Sequence, residues 1–405
     1  MSAPVSTAEP SDIQRFVGGK GWVAKMGGLG ALGLAAAIGG FFVDRKQAAF
    51  SYLVAFTYWA GIALASLILI MIFHAFRAKW MVVIRRPLEA MATTVSLFLP
   101  LFIPIFMARD TLYLWAGHSH GALPEHEQHL LHHKAPYLNV TFFLVRTILY
   151  LLIASFVAWR LWNLSNKQDE TGDVSLTQKA RNLGAGALPL MALVITFAAF
   201  DWLMSLDPFW FSTIFGVYYF GGSTMSVLAV LIIVTTLSRE KDNFGSLVTV
   251  DHMHNLGKLL FAFTAFWGYI AFSQTMLIWV ANLPEETPFY ITRMNKGWAP
   301  VGIFLILGHF VLPFFLMLSR GLKRNPVLLR LMAAWALLVH FVDVYWLVFP
   351  TFDGTTPAFP WMLIAAWVGI GGLATAFAVS RVRGRYAVPV KDPFLNVSIR
   401  YRQPV

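Results

Sequence analysis

The chain has 405 residues and a mean hydropathy of +0.63, with 58% hydrophobic and only 13% charged residues. A soluble domain carries roughly 25% charged residues, so this composition excludes an ordinary soluble enzyme or nucleic-acid-binding module and implies an integral membrane protein. The net charge of +11 fits basic loops facing anionic lipid, and the absence of cysteine excludes thiolate-held iron–sulfur clusters, covalent c-type haem and disulfides.

A bilayer admits helices of about 20 apolar residues or a closed barrel. Long unbroken apolar runs, not alternating ten-residue segments, choose helices and an all-α fold. Ten spans are expected in chain order, at residues 23–43, 50–73, 88–107, 140–164, 183–204, 211–237, 256–280, 299–319, 328–350 and 358–380. The first is short and glycine-rich, with Lys25 near its start. Residues 1–22 are polar and lack an apolar core ahead of a small-residue cleavage site, so the chain is expected to insert whole. They form an N-terminal tail, 23–380 the membrane domain and 381–405 a basic C-terminal tail.

Lysine and arginine set the orientation. The N-tail, the even-numbered loops and the C-tail, with the span ends that adjoin them, hold 23 of the 31 basic residues, among them Arg77, Lys79, Arg85, Arg86, Arg320, Lys323, Arg324, Arg381, Arg383 and Arg385. The odd-numbered loops hold Arg45, Lys46, Arg109, Lys134, Arg293 and Lys296. The positive-inside rule then places both termini in the cytoplasm.

The external loop 108–139 contains HSHGALPEHEQHLLHHK at 118–134, with six of the eleven histidines. His129 and His133 have the four-residue spacing of a helical metal pair. Gly121 and Pro124 break the region, however, and no cysteine accompanies them. A solvated or partner-facing loop, able to exchange protons near neutral pH, is the reading adopted.

Ionisable groups in the hydrocarbon are costly and usually functional. Arg146 lies in the outer part of span 4. Asp201 sits near the outer end of span 5, followed by Asp207 in a short external turn. His309 is near the middle of span 8, and His340 and Asp343 share one face of span 9. Glu89 and Lys258 lie at cytoplasmic ends within snorkelling reach. At about 1.5 Å per residue, Arg146, Asp201, Asp343, Ser273, Gln274, Tyr218 and Tyr219 occupy one layer in the outer third. Two readings of the layer stand open: an Arg–carboxylate pair with hydrogen bonds that fixes helix packing, or a water-lined pocket or proton route. His309 and His340 could ligate a b-type haem, but the bulky ALLVHFVDVYW around His340 favours a proton-relay pair, and no metal is expected on this chain. Asp201, Tyr218 and Gln274, with Trp210, Phe211 and Phe215 alongside, also suggest a quinol slot.

A faint repeat relates the halves. Asp201 precedes Pro208 by seven residues, as Asp343 precedes Pro350, and spans 3 and 7 both end in TLYLWAG-like turns. Two parallel four-helix bundles are therefore expected, spans 2–5 and 6–9, with spans 1 and 10 peripheral.

FDWLMSLDPFWFSTIFGVY, HNLGKLLFAFTAFWGYIAFSQTMLIWVANLPEE and HFVDVYW together resemble the F-type polytopic subunit of bacterial alternative complex III, a quinol:electron-acceptor oxidoreductase. The similarity covers most of residues 180–350. It implies a bacterial cytoplasmic-membrane protein that holds no cofactor itself. Its partners would be an iron–sulfur subunit, c-type cytochromes and a sister polytopic subunit, related to the polysulfide-reductase anchor, that binds quinol or menaquinol. A terminal oxidase or soluble cytochrome would accept the electrons. The resemblance carries a proton route onto Asp201, Asp207, Gln274, His340 and Asp343, with Arg146 tuning the carboxylates. Glu89, Thr93, Thr94, Asp251 and His254 are candidates for cytoplasmic proton entry. A secondary transporter or channel and a purely structural anchor are the competing readings.

Overall fold

The computed structural model describes residues 13–117, 123–240, 247–295, 297–353 and 356–403. His118, His120, Gly121 and Lys296, and the first twelve residues of the N-tail, therefore lie outside the described residues. All the described structure is helix and connecting turn apart from one isolated bridge, Arg15 to Tyr386.

Among the described residues ten helices are long and apolar enough to cross a membrane, and the chain is a multi-pass, all-α membrane protein. Spans 1 to 5 run over Lys20–Val43, Arg45–Ala75, Lys79–Met107, Val140–Thr171 and Ser175–Leu206. Spans 6 to 10 run over Phe215–Ser238, Val250–Ala281, Ala299–Leu318, Pro326–Phe352 and Trp361–Val382. Local chemistry sets their ends. Asp44 caps span 2 by accepting from the Gln47 N–H at 2.9 Å, and Asn139 caps span 4 through the Phe142 N–H at 2.9 Å. Asn325 caps span 9 through the Val327 and Leu328 N–H groups, with Pro326 at the first helical position. Gly172, at φ 72°, closes span 4 in the left-handed conformation that lacks a Cβ penalty.

Spans 2 to 5 form one bundle and spans 6 to 9 a second, packed through spans 2, 5, 6 and 9. Span 2 is the central helix. Almost every side chain from Ala48 to Met71 is buried, which accounts for its lack of a polar face. Spans 1 and 10 pair with each other at the side, and span 10 also lies on spans 2 and 3. Glycine permits that pairing: a Cβ on Gly30 would stand 2.5 Å from the Leu373 nitrogen, and one on Gly33 would stand 2.7 Å from the Gly369 nitrogen.

Both described ends of the chain meet on one face. The Phe16 N–H donates to the Arg385 carbonyl at 2.7 Å, and the Gly384 N–H donates to the Phe16 carbonyl at 2.9 Å. The stretch after span 10 packs along this terminal face. Leu395 and Ile399 are buried, and Ser398 accepts from the Val83 N–H and donates to the Trp80 carbonyl.

Spans 3 and 8 depart from regular α-helix within their length. Span 3 contains 3-10 turns and carries Pro100 and Pro104. Span 8 widens into a π-helical stretch over Ile306–Val311, and such stretches concentrate at functional sites.

Candidate functional site

The ionisable groups expected to share one layer fall into separate clusters, because facing helices close around each carboxylate within its own bundle. In the first bundle Asp201 is fully buried and saturated. Arg146 holds it with two hydrogen bonds, at 2.9 Å from Nε and 2.7 Å from a terminal nitrogen, and the Tyr150 hydroxyl donates at 2.9 Å. The guanidinium also lies over the Tyr137 ring, 3.8 Å from its centroid, and donates to the Tyr137 carbonyl. This bidentate pair ties span 4 to span 5. Tyr137 and Tyr150 were not among the sequence candidates. Tyr150 was findable, since it stands four residues after Arg146 on the same helix face.

The second bundle holds a different arrangement. Asp343 accepts a hydrogen bond from the Tyr218 hydroxyl on span 6. Its other oxygen, Oδ2, lies 3.5 Å from His340 Nδ1, too far for a formed hydrogen bond. The π-helical turn places His309 beside them, with its ring centroid 6.1 Å from that of His340 and 3.6 Å from the nearer ring of Trp267. His309, His340 and Asp343 each keep no more than 1% of their surface exposed. Both nitrogens of each histidine and Asp343 Oδ2 lack a hydrogen-bond partner. One potential ligand atom from each residue lies within 4.8 Å of the other two, the one such group of three among the described residues.

Gly222 on span 6 admits the His340 ring, since a Cβ there would stand 2.5 Å from its Nδ1. Tyr58 of span 2 closes another side, its ring centroid 5.5 Å from His340. With the Asp343 carboxylate and the Gly222 backbone against these rings, the porphyrin disc of a bis-histidine haem has no room.

The three residues read as a quinol slot have separate partners. Asp201 is held by Arg146, and Tyr218 by Asp343. Gln274 accepts from Ser212 at 2.8 Å and donates to the Tyr290 hydroxyl at 3.0 Å. Of the aromatic residues proposed beside them, Trp210 stacks on Phe289 at 3.8 Å, whereas Phe211 is exposed. Arg293, read from the sequence as an external loop charge, is buried instead. It donates to the Phe289, Trp346 and Leu347 carbonyls and so caps the end of span 9. Burial pulls its pKa below the usual guanidinium value, while Asp207 pulls the other way.

On the terminal face Glu89 is not a snorkelling end group. It accepts from Arg85 at 2.9 Å, Arg86 at 3.1 Å and Ser165 at 2.9 Å. Arg85 reaches Asp392 at 2.8 Å, and Arg86 reaches Asp169. This buried network binds span 3 to span 4 and to the returning C-terminal stretch. Thr93 and Thr94 donate to backbone carbonyls of their own helix. Asp251 pairs with Arg324 at 2.8 Å, His254 with Gln403, and Lys258 is exposed.

The histidine stretch forms a helix over Glu125–Lys134 with His126, His129, His132 and His133 exposed. Lys134 donates to the Pro208 carbonyl at 2.6 Å. His133, Lys134 and Asp207 line one crevice of about 380 Å³, so the loop lies against the turn that follows span 5.

The chain matches no protein-family model and no curated protein.

Proposed function

We propose that the chain is the proton-handling and scaffolding membrane subunit of a respiratory quinol:electron-acceptor oxidoreductase of the alternative complex III type. It would lie in the bacterial cytoplasmic membrane with both termini inside. The observation that carries this reading is the cluster of Tyr218, Asp343, His340 and His309. It is buried within the bundle, its hydrogen-bonding capacity is unfilled, and three of its four residues lie in the strings that carry the resemblance. Buried groups of this kind are expensive and mark ion or proton paths.

Span 6 carries further buried hydroxyls toward the terminal face. Ser223, Thr224 and Thr235 follow Tyr218 along that helix, all buried and with hydroxyls that have no protein partner, and the buried Ser226 lies beside Tyr58. The distance from Tyr218 to Thr235 along the helix is about 25 Å at 1.5 Å per residue, most of the hydrocarbon thickness. Quinol oxidation, iron–sulfur clusters and c-type haems would belong to partner subunits. The saturated Arg146–Asp201 pair favours a scaffolding role for the first bundle, where a carboxylate so held has little reason to move a proton.

Reconstituted complexes carrying Asp343→Asn should show fewer protons taken up per electron than the wild type, whereas Asp201→Asn should reduce the yield of assembled complex. Unchanged proton stoichiometry with Asp343→Asn would remove the proton role. Purification from native membranes in mild detergent should bring down a multi-haem c-type cytochrome and an iron–sulfur protein. Recovery of the chain alone would remove the complex, and solute uptake in liposomes would then test the transporter reading.

A further inference from the structure

We infer that His309, His340 and Asp343 form an intramembrane binding site for one transition-metal dication of the zinc class. The inference goes beyond the functional reading and does not require it.

The donor set is two imidazoles and one carboxylate, which is the ligand chemistry of a three-residue zinc site. Ligands on a tetrahedral zinc lie about 2.1 Å from the ion and hence roughly 3.4 Å from one another. Asp343 Oδ2 and His340 Nδ1 already stand 3.5 Å apart. The group as a whole spans no more than 4.8 Å, so small rotations of the side chains close it around an ion. Five polar atoms there are buried without a partner, and an ion would satisfy three of them, one on each residue.

The surroundings fit the same occupant. No guanidinium or ammonium hydrogen-bonds to Asp343 among the described residues, in contrast to Asp201, so a bound dication would supply the missing positive charge. The Tyr218 hydroxyl donates to Oδ1 of Asp343, leaving Oδ2 for the ion and fixing the carboxylate as a supporting hydrogen bond does. Gly222 clears the position of the His340 ring, and the π-helical turn of span 8 delivers His309. Three protein ligands leave a fourth position for a water or another small donor. An ion there would displace transferable protons from the same atoms. A metal-loaded chain would therefore carry no proton through this point, a consequence that does rest on the functional reading.

The test uses the full chain with the loop histidines His118, His120, His126, His129, His132 and His133 changed to alanine, because a histidine-rich stretch is a competing sink for metal. After loading with Zn²⁺ and removal of free ion, metal analysis should give one zinc per chain. His309→Gln, His340→Gln and Asp343→Asn should each weaken binding at least about tenfold. Substoichiometric zinc in the loop variant, or unchanged zinc in the three cluster variants, overturns the site. Should the cluster variants fail to fold, X-ray absorption of the zinc-loaded loop variant decides. Two imidazoles in the first shell at about 2.0–2.1 Å support the site, and fewer than two overturn it. Loss of turnover on zinc loading would additionally support the proton role. Stoichiometric binding with unchanged turnover would keep the site and remove that role.

Discussion

Asp201 and Asp343 hold matching places in two bundles, each seven residues before a proline, yet the helices around them treat them differently. Asp201 meets a bidentate arginine and a tyrosine, so every strong demand of the buried carboxylate is met within the protein. Asp343 meets one tyrosine and an imidazole at 3.5 Å. The second bundle does bury an arginine, but Arg293 reaches in from the loop before span 8 and caps the carbonyls of span 9. The same residue type thus locks a helix pair in one bundle and finishes a helix end in the other, leaving Asp343 without a fixed cation. A carboxylate answered by a guanidinium is a rivet, whereas one left with neutral donors can accept a proton or an ion.

The largest effect should follow from breaking the rivet. Arg146→Met strands Asp201 in a fully buried site, and loss of one partner of a buried pair costs about 3–5 kcal/mol. Thermal unfolding in detergent should show this as a large drop in Tm. Adding Asp201→Leu to the same chain should recover much of it, because the stranded charge goes too. Failure of the double variant to recover would mean that the pair's geometry, not its charge balance, sustains the bundle.

The next effect should come from filling the space that makes the second site. Gly222→Ala puts a methyl group against the His340 ring, an overpacking that costs about 1–3 kcal/mol. It should also abolish any tight zinc binding at the cluster. A variant as stable as the wild type, with metal binding intact, would show that the His340 ring has another place to go.

How the sequence prepared for these two sites is uneven. The ten spans were legible because the bilayer dictates their length and apolarity, and the aspartate–proline spacing related spans 5 and 9. Arg146, Asp201, His340 and Asp343 stood out simply as charges in hydrocarbon. Their grouping did not. A common depth suggested one layer, but depth says nothing about which way each helix faces, and the bundles divide that layer. His309 reaches the cluster through a π-helical turn that no composition or periodicity announces. Glu89 read as an end group because Ser165 on span 4, and the carboxylates Asp169 and Asp392 that share its arginines, converge there only through tertiary packing. Arg293 read as a loop charge for the same reason.

A smaller effect should come from Tyr218→Phe, which removes the hydroxyl that donates to Asp343 while keeping the ring. One neutral-to-charged hydrogen bond in a buried site is worth about 1.5–3 kcal/mol at most, and the released carboxylate can turn toward His340 and recover part of it. The net loss should therefore be about 1 kcal/mol, less than for Gly222→Ala. Tyr150→Phe in the first bundle should cost less still, because Arg146 continues to hold both oxygens of Asp201. Equal losses in the two variants, measured side by side by Tm, would erase the distinction between a saturated and an unsaturated carboxylate.

The smallest effect concerns the edge of the first bundle, where the histidine helix meets the turn carrying Asp207. Lys134 is partly buried there. Burial lowers its pKa, and Asp207 offsets that in part. The unfolded chain, with a lysine pKa near 10.4, then binds more protons than the folded chain between the two pKa values. Stability must rise with pH across that window, because the protein binds fewer protons when folded. Thermal unfolding followed as the pH rises toward the ordinary lysine pKa of about 10.4 should show this small alkaline gain, and Lys134→Met should flatten it. A gain that survives the substitution would assign the titration to another group. A fall in stability would mean that the ammonium is favoured in the folded state, with Asp207 outweighing burial, and would turn this contact into a second charge-locked joint of the first bundle.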